Sequence, residues 1–524
     1  MAGSEKEVGF LGEALPRTGG SGLLLIPYSG RVVIYDDDTG FIADVPRASL
    51  RLDLGGGRVS RVSVEELARA CDDGGGGPLR ELLGGVAELK GFLNRAYYGH
   101  RVLIDGVPED EYFRAVGFTG FSEVILETTD ACNMRCRYCV FGGNYVGYRT
   151  HGSSYMSDEV VEAGLRLYLS LLERFKYLNP FREPVVGFYG GEPLLNFRAI
   201  EHAAELSREL FVKKGYRPRF TISTNGTLLE GRVARFLAEN DFAVFVSIDG
   251  PKEEHDRNRV MADGSGSFDR VMSNVRSYSR MLRSLGIEEG PYALATYDIG
   301  TNLFKLRDFF NSVKDVVRLT FINMVRQFDT EYYSRFSKED VERFKKIESE
   351  LAKEFLEYVK SGAWRRERDV FLDAYFGRMV MAAVLDSKLF RMVSPLLPAS
   401  RTCVPPHKLY VTAKGDILPC ERCPSEAVIG DVRTGLDYGR VRELIGRFQR
   451  FQEGRCLRCG IRHSCSSCIA TLYPFNGGCG VKCKSFLESL TKSLKLAAQV
   501  IRMSPEYVRF IEKVFRDPIY SIGW

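Results

Sequence analysis

Short apolar runs alternate with amphipathic segments through the middle of the chain. Six of these runs have the length of buried strands, and they lie at residues 124–127, 185–189, 220–223, 243–248, 292–295 and 319–323. The segments between them, such as SDEVVEAGLRLYLSLLERF, repeat apolar residues at helical spacing. Six βα units in succession predict an α/β fold, a partial (β/α)6 TIM-type barrel. In such barrels the functional residues gather on the loops that follow the strands.

The first 115 residues follow a different pattern. Apolar runs at residues 23–26, 32–35 and 41–43 are separated by the turn sequences SG and DDTG, and they predict a three-stranded antiparallel meander. Two predicted helices follow, on either side of the sequence DDGGGG. Strands and helices in this order predict a small α+β, winged-helix-like domain.

The 524 residues are too many for one hydrophobic core, so several domains are expected. After the barrel, sequences such as KEDVERFKKIESELAKEFLEYV have the spacing of long surface helices. We divide the chain into an N-terminal α+β domain (1–115), the barrel (116–327), a helical bridge (328–400), a cysteine-rich domain (401–484) and a C-terminal helix (485–524).

Composition describes an ordinary globular protein and excludes some partners. Apolar residues make up 44% of the chain and charged residues 27%, and the net charge of +5 is too small to indicate nucleic acid. The sequence shows neither a signal peptide nor an apolar run long enough for a membrane span. A cytoplasmic location without membrane or nucleic-acid partners is therefore expected. In that reducing compartment, 13 cysteines favour metal or cluster ligation over disulfides.

Three cysteines directly follow the first barrel strand. Cys132, Cys136 and Cys139 form the pattern C-x3-C-x2-C. A [4Fe-4S] cluster is normally held by four thiolates, so three leave one iron open to chelate a small molecule through its amine and carboxylate. A zinc knuckle is the alternative interpretation of the pattern taken alone.

The second barrel loop, FYGGEPLLNF, supports the cluster interpretation. Gly190 and Gly191 allow the backbone to approach a ligand closely, and Glu192 offers a carboxylate to an amine. Together with the three cysteines and Tyr138 before the last of them, this loop resembles the radical S-adenosylmethionine enzymes. STNGTLL and SIDGPKEEHDRNR resemble the third and fourth loops of the branch that includes anaerobic sulfatase-maturating enzymes.

The resemblance implies a cofactor, an activity and a set of site residues. The cofactor would be S-adenosylmethionine, cleaved with an electron from a donor such as ferredoxin or flavodoxin to give a 5'-deoxyadenosyl radical that abstracts hydrogen from a substrate. The first and second loops would hold the cluster and the cofactor's amino group. Ser247 and Arg259 would bind the cofactor's carboxylate, the alternatives being a strand-end hydroxyl and a surface ion pair. Ser223, Asn225 and Asp249 would line the ribose or only cap turns.

The C-terminal third carries nine more cysteines, which resemble the auxiliary-cluster domain called SPASM. Its final C-x2-C spacing departs from the usual pattern, and zinc is the alternative for this domain taken alone. Three [4Fe-4S] clusters would use 11 of the 12 cysteines left after Cys71 is set aside. By resemblance the first auxiliary cluster takes Cys403, Cys420 and Cys468 with Cys423 as the candidate fourth ligand, and the second takes Cys456, Cys459, Cys465 and Cys479 or, preferably, Cys483.

The substrate class comes from a further resemblance. CVPPHKLYVTAKGDILPCERC is most similar to maturases that install thioether or carbon–carbon crosslinks in ribosomally made precursor peptides. The N-terminal domain would then bind the leader of the precursor as an added strand, or be an unrelated packing domain. Anaerobic sulfatase maturation, which forms formylglycine, is the second hypothesis. A non-catalytic iron–sulfur or zinc scaffold is the hypothesis from another class.

Overall fold

The computed structural model describes residues 22–52, 59–71, 77–93, 102–118, 120–145, 147–288, 290–327, 330–384, 396–397, 403–453, 456–459, 461–465, 467–473, 475 and 480–516. Within these ranges the chain is a mixed α/β protein built on a small antiparallel sheet and a large, mostly parallel one.

The small sheet is N-terminal and antiparallel. Its strands are β1 (Leu23–Tyr28), β2 (Arg31–Tyr35), β3 (Ile42–Pro46) and β4 (Ser60–Val62), in the order β3-β2-β1-β4. The structure confirms the predicted meander and adds β4, whose sequence SRV gives no apolar signal. Three helices follow: α1 (Val64–Ala70), α2 (Gly77–Leu93) and α3 (Glu109–Gly117). Ser63 and Glu66 close a capping box at the start of α1.

Side chains of β1 alternate between two cores, as the strand period requires. Leu24 and Ile26 belong to the core that runs through the barrel. Leu23 and Leu25 belong to a separate core shared with α1 and α2. The sheet is therefore covered on both faces.

The barrel contains the six predicted βα units. The strands are β5 (Val124–Thr129), β6 (Val185–Gly190), β7 (Arg219–Thr224), β8 (Phe242–Ser247), β9 (Tyr292–Tyr297) and β10 (Arg318–Met324). Each strand pairs in parallel with the next, so all their carboxyl ends lie at one edge. The helices between them are α4 (Asp158–Arg174), α5 (Phe197–Val212), α6 (Gly231–Glu239), α7 (Lys252–Asn258), α8 (Phe268–Ser284) and α9 (Leu303–Ser312). This arrangement confirms the predicted partial barrel.

The barrel sheet does not end at β5. Strand β11 (Leu409–Val411) pairs in parallel with β5, joining Leu409 to Val124 and Val411 to Leu126. Antiparallel strands β12 (Asp416–Leu418), β13 (Gly430–Asp431) and β14 (Gly435–Leu436) extend the sheet further. One sheet thus connects the barrel to the cysteine-rich region.

The remaining helices cover the barrel and link its ends. They are α10 (Lys338–Lys360), α11 (Val370–Leu372), α12 (Arg378–Val384), α13 (Tyr438–Glu453), α14 (Ile469–Leu472), α15 (Gly480–Met503) and α16 (Pro505–Phe515). The single predicted C-terminal helix is two, because Pro505 lacks the N–H that would continue α15 and instead starts α16. Helix α15 packs on β1, β2 and β3. In the described part of the chain, no helix has the length and apolar character to cross a membrane.

Candidate active site

The three-cysteine loop leaves the carboxyl end of β5 and pairs with the segment after α7. The backbone N–H of Arg135 donates to the carbonyl of Val260 at 2.8 Å, and that of Arg137 donates to Asn258 at 2.9 Å. Asn258 and Val260 flank Arg259, the last residue of the HDRNR sequence. Backbone pairing therefore brings the predicted cluster loop and the predicted carboxylate-binding arginine together.

The two glycines at the carboxyl end of β6 are required by contact with the end of β5 and the start of the cysteine loop. The N–H of Gly191 donates to the Thr129 carbonyl at 2.9 Å. Gly190 has φ near +140°, and a Cβ there would lie 2.1 Å from the Thr129 oxygen. A Cβ on Gly191 would lie 2.1 Å from the Ala131 oxygen. The close approach is thus to the backbone that precedes the cysteines.

Glu192 is fully buried and joins the second loop to the third. Its Oε1 accepts from Thr224 Oγ1 at 2.6 Å and from the Leu194 N–H at 3.1 Å, and its Oε2 accepts from the Asn225 N–H at 2.7 Å. Burial raises the pKa of this carboxyl, and these donors oppose the rise. A carboxylate has about four acceptor sites, so three donors leave Oε2 able to accept one more.

Asn225 caps a turn in the third loop. Its Oδ1 accepts from the Thr227 N–H at 2.9 Å, while its Nδ2 donates to Asn133 Oδ1 at 2.8 Å in the cysteine loop. Ser223 and Ser247 are half-buried and lie at the carboxyl ends of β7 and β8. All three residues therefore face the same edge of the sheet as the cysteines.

Arg259 and Asp249, which are buried, are joined in a hydrogen-bonded chain by Tyr138, which is half-buried. The Tyr138 hydroxyl donates to Asp249 Oδ2 at 2.5 Å and accepts from Arg259 Nη1 at 2.8 Å. Arg259 is only 7% exposed, which excludes the surface ion pair. Its Nε has no hydrogen-bond partner among the described residues. An arginine held this way has donor capacity left for an anionic group.

Electrostatics keep this arginine charged. Burial by itself lowers the pKa of Arg259, but Cys136, Tyr138 and Asp249 reverse the effect and raise it well above its usual value. Burial raises the pKa of Asp249, and Arg259 opposes the rise. The cation therefore faces the middle cysteine of the loop.

The thiols of the loop need a cation to ionise. Burial raises the pKa of Cys132 to about 12 and that of Cys139 to about 11, so both are protonated at neutral pH without metal. Within the described ranges, no three His, Cys, Asp or Glu residues converge closely enough to hold a single metal ion.

Two site residues escaped the sequence analysis. His151 Nε2 lies 3.6 Å from Cys139 Sγ, and burial lowers the pKa of this histidine. Asp298, directly after β9, is fully buried and accepts two hydrogen bonds of 2.8 Å from Arg257. Burial would raise the pKa of Asp298, but Arg257 and Tyr332 lower it to about 2. The contact of Asp298 with Arg257 braces the segment that carries Arg259, and its position after a strand was the available signal.

The structure also groups the first set of auxiliary cysteines. Cys420 Sγ lies 3.7 Å from Cys423 Sγ. Cys403 is exposed as a whole residue, but its sulfur is surrounded by other atoms. This local burial raises the pKa of the thiol to about 12, and the nearby Cys420 and Cys468 raise it further. Cys468 also acts on Cys423. Cys420 and Cys468 therefore each lie close enough to act electrostatically on both Cys403 and Cys423.

Arg149 connects this group to the three-cysteine loop. Its guanidinium lies over the rings of Phe141 and Tyr410, at 4.7 and 4.6 Å from their centroids. It donates to the Tyr410 hydroxyl at 3.1 Å and to the carbonyl of Glu421, between Cys420 and Cys423, at 3.4 Å. The loop that carries Cys139 is thus tied to the loop that carries the first auxiliary pair.

The second auxiliary set is only partly described. Burial raises the pKa of Cys465, and Cys459 adds to the rise, so these two thiols are neighbours. Cys456 begins a short helical turn before Cys459. Cys479 lies outside the described residues, and Cys483 is disulfide-bonded in the structure, so Cys483 would have to be reduced to bind iron.

The described residues form a parallel partial barrel with a three-cysteine loop at its carboxyl edge, which is the arrangement of a cofactor-binding domain. Comparison with known proteins identifies the class of domain. Residues 126–287 match the family model of the Radical SAM superfamily. The chain contains a radical SAM domain, homologous to part of the anaerobic sulfatase-maturating enzymes.

Several curated relatives share this region. The cysteine-type anaerobic sulfatase-maturating enzyme of Clostridium perfringens strain 13 is 29% identical over 203 residues, 38% of this chain and 51% of the relative. The serine-type enzyme of Bacteroides thetaiotaomicron is 33% identical over 190 residues, 35% of this chain and 41% of the relative. The radical SAM cyclopropyl synthase TigE of Paramaledivibacter caminithermalis is 24% identical over 155 residues, 29% of this chain and 31% of the relative. The chain spans about half the length, or less, of these relatives.

Two solved structures align over longer stretches. Native anSMEcpe with bound AdoMet and Cp18Cys peptide has a TM-score of 0.48 and 19% identity, covering 74% of this chain and 98% of that chain. Streptococcus suis SuiB bound to S-adenosylmethionine has a TM-score of 0.43 and 16% identity, covering 86% of this chain and 95% of that chain.

Proposed function

We propose that the protein is a radical SAM peptide maturase that forms a thioether or another crosslink in a ribosomally made precursor peptide. The observation that carries the proposal is the backbone pairing that places three cysteines, the two glycines and Glu192, and a buried Arg259 at one edge of the barrel. A bound [4Fe-4S] cluster with S-adenosylmethionine would supply the 5'-deoxyadenosyl radical that abstracts hydrogen from the peptide.

The residues fit the two ends of the cofactor's amino acid part. Glu192 Oε2 has room for one more hydrogen bond and suits a cationic amine. Arg259 keeps Nε unused among its described neighbours and suits a carboxylate. Tyr138 and Asp249 hold the guanidinium in place from the other side. Glu192, Arg259 and Asp249 are buried, which strengthens their electrostatic interactions with a bound cofactor.

The auxiliary cysteines have an electronic role in the proposal. Joining a thiol to a carbon removes two hydrogens from the peptide: one is transferred to the radical as an atom, and the other leaves as a proton with its electron. We assign Cys403, Cys420, Cys423 and Cys468 to a first auxiliary cluster that accepts this electron. Cys456, Cys459, Cys465 and one of Cys479 and Cys483 form the second. A ferredoxin or flavodoxin would be the external donor, and the thiols require a reducing compartment such as the cytoplasm.

Delivery of the peptide falls to the N-terminal domain. Among the described residues, β3 and β4 are the edge strands of its sheet, and an added strand would pair with one of them. A precursor leader bound there would be held by backbone hydrogen bonds, which do not depend on the sequence of the core peptide. Weakened binding of an encoded neighbouring precursor after proline substitutions in β3 would support this assignment, and unchanged binding after such substitutions in both β3 and β4 would contradict it.

Cofactor cleavage tests whether the protein is an enzyme or a scaffold. The anaerobically reconstituted protein, reduced with dithionite, should convert S-adenosylmethionine to 5'-deoxyadenosine, and Cys136→Ala should not. Product at the same level from both proteins, or from neither, would overturn the enzyme assignment and favour a non-catalytic iron–sulfur or zinc scaffold.

Iron analysis tests the number of clusters. Three [4Fe-4S] clusters require about 12 iron atoms and as many sulfides per protein. A content of about four would remove both auxiliary clusters from the proposal, and zinc in their place would show a structural zinc domain.

Sulfatase maturation is the second candidate, because four curated relatives bear the name of anaerobic sulfatase-maturating enzymes. The N-terminal domain and the final C-x2-C spacing favour the peptide maturase. Mass spectrometry of a co-expressed neighbouring peptide separates the two. A crosslink removes two hydrogens and forms no aldehyde. Formylglycine is an aldehyde and reacts with a hydrazide.

A further inference from the structure

The turn between β2 and β3 carries three consecutive buried carboxylates. Asp36, Asp37 and Asp38 are 0%, 4% and 2% exposed, although the sequence DDDTG has the composition of a surface turn. Buried carboxylates are costly unless donors or cations surround them. The partners of these three residues therefore show what the turn is built to contact.

Asp37 binds a segment of the cysteine-rich region more than 400 residues away. Its Oδ2 accepts from the backbone N–H of His463 at 2.7 Å, and its Oδ1 accepts from Ser464 Oγ at 2.5 Å. Tyr35 Oη lies 2.6 Å from the same Ser464 hydroxyl and, because that hydroxyl already donates to Asp37, acts as the donor. His463 and Ser464 are the residues directly before Cys465.

The neighbouring carboxylates divide between the two domains. Asp38 lies 3.2 Å from His463 Nε2 and 3.1 Å from Lys90 Nζ, so it spans the interface. Asp36 accepts from Lys90 Nζ at 2.7 Å and from Thr39, both within the N-terminal domain. Asp36 and Asp37 are therefore both buried aspartates of the same turn. They differ in their partners, because only Asp37 of the two is hydrogen-bonded to the cysteine-rich region in the contacts described above.

We propose that Asp37 is a positioning residue for the second auxiliary cluster, supplied by the N-terminal domain; this inference rests on the proposed function. Two of its hydrogen bonds fix the backbone and the side chain that precede Cys465, and hydrogen bonds of this kind orient the ligands of a metal site. The N-terminal domain is therefore part of the cluster site as well as a candidate peptide binder. Deletion of residues 1–100 would remove both functions together.

The test compares Asp37→Asn with Asp36→Asn in the full-length, anaerobically reconstituted protein. An asparagine at position 37 presents an N–H to one of two donors and breaks that contact. We expect iron and sulfide to fall from about 12 to about eight in Asp37→Asn and to stay at about 12 in Asp36→Asn. The electron paramagnetic resonance signal of one auxiliary cluster should disappear in the first variant alone.

A second variant and the unmodified protein complete the design. Ser464→Ala removes one of the two donors without an opposed N–H, so it should lose part of the iron that Asp37→Asn loses. Equal iron in all variants would overturn the proposal, and so would an equal loss in Asp36→Asn, which would show general destabilisation. About four irons in the unmodified protein would overturn the auxiliary clusters themselves.

Discussion

The two cysteine regions are built in different ways. The three-cysteine loop is held by backbone hydrogen bonds to loops that each follow a strand of the same barrel. The auxiliary cysteines come from segments between residues 403 and 483, and their supports include Arg149 from the barrel and Asp37 from the N-terminal domain. The first site depends on short motifs, whereas the second depends on how distant parts of the chain pack together.

The largest expected effect separates the chemistry of the two regions. Cys136→Ala removes a ligand of the open cluster, so S-adenosylmethionine cleavage should fall to background. Cys420→Ala removes an auxiliary ligand, so cleavage should continue while peptide modification is lost. Both products are measured in one anaerobic reaction by chromatography and mass spectrometry. Loss of cleavage in both variants would show that the regions do not function separately.

A second large effect tests how tightly the barrel loops pack. Gly190→Ala places a Cβ against the Thr129 carbonyl at a backbone conformation that alanine avoids, and should destabilise the protein by about 4 kcal/mol. Gly231→Ala is the control, because Gly231 also has positive φ but nothing lies within 4 Å of its Cβ position. That variant should lose about 1 kcal/mol. Chemical unfolding gives both values, and similar losses would contradict the close approach.

Replacing Arg259 or Arg149 should change cofactor binding or peptide yield by an intermediate amount. Arg259→Lys loses donors that the proposal assigns to the cofactor's carboxylate, so KM for S-adenosylmethionine should rise about tenfold. Arg149→Lys loses its stacking between two rings at the boundary of the regions. We expect that variant to keep KM and to lower the yield of modified peptide per cofactor cleaved. A raised KM in Arg149→Lys and a lowered peptide yield in Arg259→Lys would contradict the roles assigned to the two arginines.

The smallest effect concerns pH. Burial holds the pKa of His255 well below 6.5, and Arg259 and Lys252 contribute. Below about pH 6.5 the unfolded chain takes up a proton that the folded protein does not, so stability should fall by about 1 kcal/mol per pH unit. His255→Gln should remove that slope between pH 6.5 and 5.5. Anaerobic chemical unfolding of both proteins at several pH values provides the measurement.

The N-terminal contact should respond only at much lower pH. Burial opposes ionisation of Asp38, but His463 and Lys90 hold the pKa of its carboxyl well below the usual range. Its contribution to stability is therefore complete above the ordinary carboxylate pKa and is lost only as pH falls further. Asp38→Asn should remove part of the stability loss that the protein shows below about pH 4, and an unchanged loss there would contradict the assignment.

The barrel and its cofactor loops could be predicted because their signals are local. Apolar runs predicted β5 to β10, and GGEP and HDRNR each follow a strand, so the common edge of the sheet brings them together. The reason for the two glycines in GGEP differs from the predicted one, which was close approach of the backbone to a ligand. Gly190 and Gly191 are required by the cysteine loop's own backbone, which no pattern around them indicates.

For the cysteine-rich region, the sequence predicts a set of ligands, which stays a prediction, and indicates nothing of how the region packs. The pairing of β11 with β5 and the contact of Asp37 with His463 join segments hundreds of residues apart. From the sequence, DDDTG predicts a solvated turn, because no neighbouring residue indicates which surface will cover the three carboxylates. Strand β4 escaped for a related reason, since its three residues have no apolar pattern and are held by pairing with β1.

The continuous ladder from β5 to β11 has a consequence for electron flow. Strands joined by backbone hydrogen bonds cannot slide past one another without breaking them, so the register between β5, which precedes the three cysteines, and β11, which lies between Cys403 and Cys420, is fixed. Tunnelling rates fall exponentially with distance. If the proposed function holds, electron transfer from the peptide radical to the first auxiliary cluster would not require one of these strands to move past the other.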